Sequence, residues 1–314
     1  MNVVALAGGV GGAKMVDGLA QVLAPDYLTV IVNTGDDFEH FGLYICPDID
    51  TICYTLAGLE NISTGWGCSA ETWNALDTIK TLGGETWFRL GDRDLGTHLI
   101  RTERRRAGKL LSQITCDFCR AWGIRVTVLP MCNETVRTMV VTQDGRMLPF
   151  QEYFVKYECQ PQVESFVFQG IEQARPAPGV LDALEKADLV IICPSNPWVS
   201  IDPILSVHGI REVISNKIVI AISPIIQGKT VKGPAAKMFS ELGIQPSASA
   251  VALHYRDLLT GYVLDSVDNS ECDLIAQWGI IPYTTNILIP TREERIRLAR
   301  EVLDFYLRLR KLSS

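Results

Sequence analysis

Long apolar runs are missing. No stretch reaches the ~18 residues that would span a bilayer, so the sequence contains no transmembrane helix. A basic excess is missing too. The chain has 36 acidic and 29 basic residues, a formal charge of −7. Polyanion-binding surfaces are basic, so a broad nucleic-acid interface is excluded. The opening Met1-Asn-Val-Val-Ala-Leu-Ala-Gly8 lacks the basic n-region and cleavage site of a secretory signal. It reads as a strand, and the expected location is cytoplasmic. Covalent-catalysis signatures are also absent, with neither a GxSxG elbow nor a Ser–His–Asp order. Cys116-Asp-Phe-Cys119 has no second CxxC to complete a zinc site. The 9 cysteines, odd in number and set in apolar contexts, are expected to be reduced, buried thiols.

What is present is a recurring strand signal. Val3–Ala7, Leu28–Val32, Val126–Leu129, Leu189–Cys193 and Ile218–Ile222 are short, unbroken apolar runs rich in β-branched residues. Such runs fit strands buried on both faces of a parallel sheet. Helical stretches such as Lys14–Leu23 and Val180–Lys186 lie beside them, so the expected fold is α/β, doubly wound and mostly parallel. The core is assigned to residues 1–45 and 110–314, and 46–109 to a mostly helical cap insertion, all in a single structural unit. Residues 133–178 are expected to add a hairpin at a sheet edge, turning at Asp144-Gly145. Thr291-Arg-Glu-Glu294 is a capping box ahead of a helix reaching about Leu309, whose stripe of Ile296, Leu303 and Leu307 fits either core or an interface.

The chemistry clusters where strands end. The first runs into Gly8-Gly-Val-Gly-Gly-Ala-Lys14. There Gly8, Gly9, Gly11 and Gly12 let backbone amides approach phosphate oxygens, Lys14 adds charge, and a helix N-terminus follows. Neither the GxGxxG fingerprint nor a Walker A ending is present. After the second strand, Asn33-Thr-Gly-Asp-Asp37 is followed by Pro47-Asp-Ile-Asp50. The carboxylates Asp36, Asp37, Asp48 and Asp50 beside a phosphate cradle suit Mg²⁺, although Asp50 would also serve as an N-cap. Trp87-Phe-Arg89 through His98 joins aromatic faces to arginine forks, with His98 more often structural in such settings. Ser195 and Asn196, then Ser223, Lys229 and Lys232, follow the fourth and fifth strands on the same rim. The Arg101–Arg106 run reads as a solvated helix face.

Six ordered blocks resemble one family. They are Gly8–Lys14, Asn33–Asp37, Cys46–Thr51, Leu90–Leu95, Pro194–Pro197 and Ser223 to Gly233-Pro234. Together they are similar to the 2-phospho-L-lactate transferases of coenzyme F420 biosynthesis, from Asn2 to about Asn286. One departure is Gln227, where a second glycine is expected. The resemblance implies a Rossmann-like, often dimeric protein. It implies Mg²⁺-dependent transfer of a phospholactyl or phosphoenolpyruvyl group from a guanosine-diphospho donor to the deazaflavin alcohol Fo, giving GMP and F420-0 or its dehydro form. By the same resemblance, Asp50 and Arg89 contact Fo, and the glycine, Ser195–Asn196 and Ser223–Lys232 blocks hold the donor. Trp87 is a candidate to stack on the deazaflavin ring, and Asp50 the first candidate for proton acceptor. A sister family, similar to the nucleotide-sugar-binding gluconeogenesis factors, shares the opening and the core. It is separated by the Pro47–Asp50 and Leu90–Leu95 blocks.

Overall fold

A computed structural model describes residues 1–312. Seven parallel strands form the central sheet: β1 (Val3–Ala7), β2 (Leu28–Val32), β3 (Thr127–Pro130), β4 (Leu189–Ile192), β5 (Ile218–Ile222), β6 (Gly261–Asp265) and β7 (Ile281–Thr285). Their order is β7-β6-β5-β4-β1-β2-β3. β1 is central, paired with β2 from Val3↔Leu28 to Ala7↔Val32 and with β4 from Val3↔Leu189 to Leu6↔Ile192. The chain winds outward through β2 and β3, then returns across β1 to start the other half. The carboxyl ends of β1 and β4 therefore meet at the topological switch point, where open α/β sheets bind ligands. The fold is α/β and Rossmann-like, as the apolar runs imply. The strands that the runs do not announce, β6 and β7, begin at Gly261 and at an exposed Ile281.

Alternate residues of each strand face two separate cores. Val3, Ala5 and Ala7 pack under helices α1 (Gly9–Val22) and α2 (Pro47–Leu56) and the C-terminal helix Arg292–Leu312. Val4 and Leu6 face Val180, Leu184, Ile204 and Ile214 on the opposite side. Three more helices follow α2: α3 (Asn74–Thr81), α4 (Asp92–Arg106) and α5 (Leu111–Ala121). A tight hairpin, Phe38–His40 with Leu43–Ile45, precedes α2 and packs against α4.

Several expectations are corrected. The first helix begins at Gly9 rather than Lys14, so the glycines form its opening turns and not a separate loop. Asp50 lies inside α2, its N–H bonded to Cys46 O at 3.0 Å, and is not an N-cap. The hairpin from 133–178 belongs to a separate three-stranded antiparallel sheet and extends no edge of the main one. The capping box forms, with Glu294 accepting from Thr291 N at 3.0 Å. The helix behind it buries Leu298, Val302, Phe305 and Tyr306 against the core and leaves Leu307 exposed. All 9 cysteines are free. Cys116 is exposed while Cys119 turns inward, so the CxxC is no ligand pair.

Arg295 locks that helix to the core. It is buried, and its Nη1 reaches Asp17 of α1 at 2.8 Å and Glu60 at 3.4 Å. Gly18 lets α1 approach the Arg295 backbone without a Cβ in the way.

Gln227 and Gly228 form the two-residue turn between Ile226 and Lys229, with φ of 49° and 71°. Two positive angles define a type I′ turn, which favours glycine or asparagine. An L-residue there costs about 1–2 kcal/mol, and glycine's greater chain entropy returns part of that. Gln227→Gly is expected to raise stability by about 0.5–1 kcal/mol, measured by thermal or urea unfolding. A lower melting temperature would mean that the Gln227 side chain contributes more than the turn costs.

Candidate active site

The β1–α1 turn and the loop after β4 touch. Ser195 Oγ donates to Gly8 O at 2.8 Å. A Cβ at Gly8 would sit 2.6 Å from Asp48 Oδ2 and 2.8 Å from Ser200 Cβ, and one at Gly11 would strike the Pro194 carbonyl. Glycine is required at both positions by this approach. Of the expected donor contacts, Ser195 is thus part of the turn's own scaffold. Asn196 caps the next helical turn, accepting from Trp198 N at 3.1 Å. Ser223 bonds Ile225 O at 2.8 Å and shapes the strand end. Lys229 is exposed. Lys14, Arg295 and Lys232 form a basic group beside the glycine turn. Burial, then Arg295 and Lys232, push the Lys14 amine below its usual range. Lys232 reaches across to Thr64 O at 2.7 Å, tying the rim to residues 57–73.

Four aspartates follow β2 and open α2, and all are buried. Asp48 is the best held. It accepts from Gly9 N at 2.7 Å and from Asn33 Nδ2 at 2.9 Å. Asn33 Oδ1 in turn takes Gly35 N at 2.8 Å, fixing the turn that carries Asp36 and Asp37. Asp36 Oδ1 and Asp37 Oδ1 are buried with no hydrogen-bond partner. Burial, reinforced by Asp48 and Asp37, pushes Asp36 well above the carboxylate range. Burial also raises Asp37 to about 8, against hydrogen bonds from Cys46 and Tyr44, and Asp48 to about 6. Carboxyl groups that burial holds toward the protonated form are what a divalent cation would stabilise as carboxylates.

Asp50 has a different environment. Arg101 grips both its carboxylate oxygens, one at 2.9 Å. The run Arg101–Arg106 is therefore not wholly a solvated face, since Arg101 is 1% exposed. His98 stands between them, its Nδ1 3.1 Å from Arg101 Nη1 and 3.7 Å from Asp50 Oδ2, its Nε2 3.3 Å from Asp94 Oδ1. Tyr54 donates to Asp94 at 2.7 Å. Burial works to raise Asp94, yet the bonds from His98 and Tyr54 leave it lowered. Among the described residues, Asp50, Asp94 and His98 are the one group with metal-ligand spacing. Arg101 and Tyr54 already bond to Asp50 and Asp94, and His98 Nε2 is buried with no hydrogen-bond partner, so the group is a buried, charge-paired cluster. Asp36, Asp37 and Asp48 do not converge so tightly. Sequence reasoning passed over Arg101, Asp94 and Tyr54 in these roles. Only the i, i+3 and i, i+4 spacing of Asp94, His98 and Arg101 on one helix face hinted at them.

Trp87 packs in an aromatic group with Phe38, His40 and Phe88, at centroid separations of 5.9, 5.2 and 5.8 Å. Its Nε1 donates to Glu85 at 3.0 Å. Arg89 is exposed and stacks over Trp73, 4.4 Å from the ring centre.

A family model described as 2-phospho-L-lactate transferase CofD matches residues 3–287. The chain belongs to that family. This transferase family includes curated relatives called phosphoenolpyruvate transferase. One from Kitasatospora aureofaciens is 42% identical over 311 residues, covering 96% of this chain and 97% of the relative. Another, from Thermobifida fusca, is 41% identical over 326 residues, with both chains covered in full. Among solved structures, a UPF0052-family protein from Bacillus halodurans aligns with a TM-score of 0.62 at 16% identity, covering 96% of this chain and 99% of its own. At that identity the likeness concerns the fold alone.

The raised aspartates fix the sign of a pH effect. A carboxyl with a folded pKa above its unfolded value favours the folded state most at low pH, and that contribution is lost as pH rises through the folded pKa. For the metal-free protein, the Asp48 contribution should therefore fade from about pH 4 to about pH 6 and the Asp37 contribution from about pH 4 to about pH 8. Melting temperatures across that window should fall with pH, and Asp37→Asn should flatten the upper half of the decline. A flat wild-type profile would show that these carboxyls are hydrated or already neutralised.

Proposed function

We propose that the chain transfers a phosphoenolpyruvyl or phospholactyl group from a guanosine-diphospho donor to the ribityl hydroxyl of the deazaflavin Fo. GMP leaves, and the product is dehydro-F420-0 or F420-0. The observation that carries this reading is one rim holding both a glycine-built helix start with basic side chains and buried carboxyl groups with orphaned oxygens. The printed names of the relatives favour the enolpyruvyl group. A protein of this kind acts in the cytoplasm, as a homodimer, with residues 46–109 as the cap over a core of 1–45 and 110–314.

In this reading the donor diphosphate lies along Gly8–Gly12, with Lys14 and Lys232 offsetting its charge and the Ser195–Asn196 and Ser223–Lys229 segments lining the guanosine side. Mg²⁺ suits Asp36, Asp37 and Asp48, which are hard oxygen donors with two orphaned oxygens. When bound it would neutralise the diphosphate charge. Phosphoryl-type transfer otherwise needs positioning more than covalent chemistry. Trp87 and Arg89 meet the acceptor ring. Asp50 accepts the hydrogen bond of the attacking hydroxyl, its orientation held by Arg101.

Titration with GDP plus Mg²⁺, with and without Fo, tests this by thermal shift, since a ligand at 100 times its Kd adds about 2.7 kcal/mol. Stabilisation by GDP and by Fo supports the transferase. Stabilisation by a UDP-sugar alone would support the regulatory sister family and sink the reading. A second test follows from Asp48 and Asp50. Asp48→Asn is expected to reduce turnover by about 100-fold or more, on the scale of one removed electrostatic group. Asp50→Asn should do the same and also cost about 3–5 kcal/mol, because it strands the buried Arg101 charge. Turnover within twofold of wild type in either variant would remove that residue from the mechanism.

A further inference from the structure

A second cavity lies outside the rim, between the Phe38–Ile45 hairpin and α4. It has a volume of about 220 Å³ and is lined by Glu39, Tyr44, Thr102, Arg105, Arg106 and Thr135 among others. Its floor is built and not incidental. Tyr44 and Thr102 are buried, and Thr102 Oγ1 accepts Tyr44 N at 2.7 Å, fixing the hairpin to α4.

The basic residues at the end of α4 have different fates. Arg104 pairs with Asp117 at 3.0 Å, and Lys109 pairs with the same carboxylate. Arg106 Nη2 donates to Gly42 O at 2.9 Å. Arg105 is the exception. Its guanidinium lies 3.9 Å from the centre of the Tyr44 ring, and its Nη1 is buried with no hydrogen-bond partner. A guanidinium N–H withdrawn from water without an acceptor is costly, and a ring face satisfies the charge but not the N–H. Complementing the helix dipole would explain basic residues here, yet that role needs no cavity and no desolvated donor.

The geometry points to this cavity as a binding site for a small oxyanion, a phosphate or a carboxylate, with Arg105 and Arg106 in its wall supplying the positive charge. Arginine's planar fork suits both anions. The Thr102 and Thr135 hydroxyls supply further polar groups, and Glu39 at the wall disfavours bulkier polyanions. The site does not depend on the proposed transfer reaction, and its test needs no turnover.

The test is thermal-shift titration with inorganic phosphate and, separately, with pyruvate, each against sodium chloride of equal ionic strength. The background is Lys14→Ala/Lys232→Ala, so that anions at the glycine turn do not contribute. The expected result is a saturable rise with at least one anion. Phosphate alone would identify a phosphate site, and pyruvate alone a carboxylate site. Arg105→Gln should weaken the apparent affinity about tenfold or more, as loss of a charged hydrogen bond implies. If that variant fails to fold, Arg106→Gln, altered at an exposed side chain, should show the same weakening. No shift beyond chloride with either anion overturns the inference, as does a shift unchanged by both substitutions.

Discussion

The contact between the β1–α1 turn and the loop after β4 is the constraint on which the rest of the site depends. The switch in winding direction brings these segments together, and backbone meets backbone there at a separation only glycine permits. Once Gly8 is packed against Ser195 and Ser200, the Gly9 amide is aimed at Asp48. Asp48 then positions Asn33, and Asn33 sets the turn bearing Asp36 and Asp37. A single backbone approach thus propagates through four polar groups into the acidic cluster.

The two halves of the acidic set are handled oppositely. Asp50 is neutralised internally, by a buried guanidinium backed by His98 and Asp94. Asp36 and Asp37 are buried with an orphaned oxygen each, and burial pushes both toward the protonated form. Leaving the whole cluster empty would have scattered the carboxylates. The division keeps one carboxylate oriented and leaves the others reactive toward an incoming charge.

The sheet was legible because its inner strands are unbroken β-branched runs, and Val3–Ala7, Leu28–Val32 and Ile218–Ile222 match element for element. β6 and β7 escaped notice because a leading glycine and the polar Tyr283-Thr-Thr285 dilute the pattern near an edge. The glycines hid the true start of α1, since composition cannot distinguish a loop from a helix turn pressed against a neighbour. Among site residues, the aspartates announce themselves by charge in an apolar setting. Arg101 does not, because its partner lies 51 residues away and most of the basic run beyond it is half-buried or exposed. Burial of one member of a basic run is a property of packing, invisible to spacing alone.

The pairing of α1 with the C-terminal helix has a consequence for how the chain matures. α1 carries the glycine turn, yet its outer face is covered by a helix that begins at Arg292, and the buried Asp17 finds its cation at Arg295. During synthesis, α1 is made well before the helix that covers it. Until that helix emerges from the ribosome, Asp17 has no counterion and the seam stays open to water and proteases. A chain stalled short of residue 295 would hold every strand of the sheet and still lack the clamp over α1. Closure over α1 therefore has to wait for residues far downstream of it.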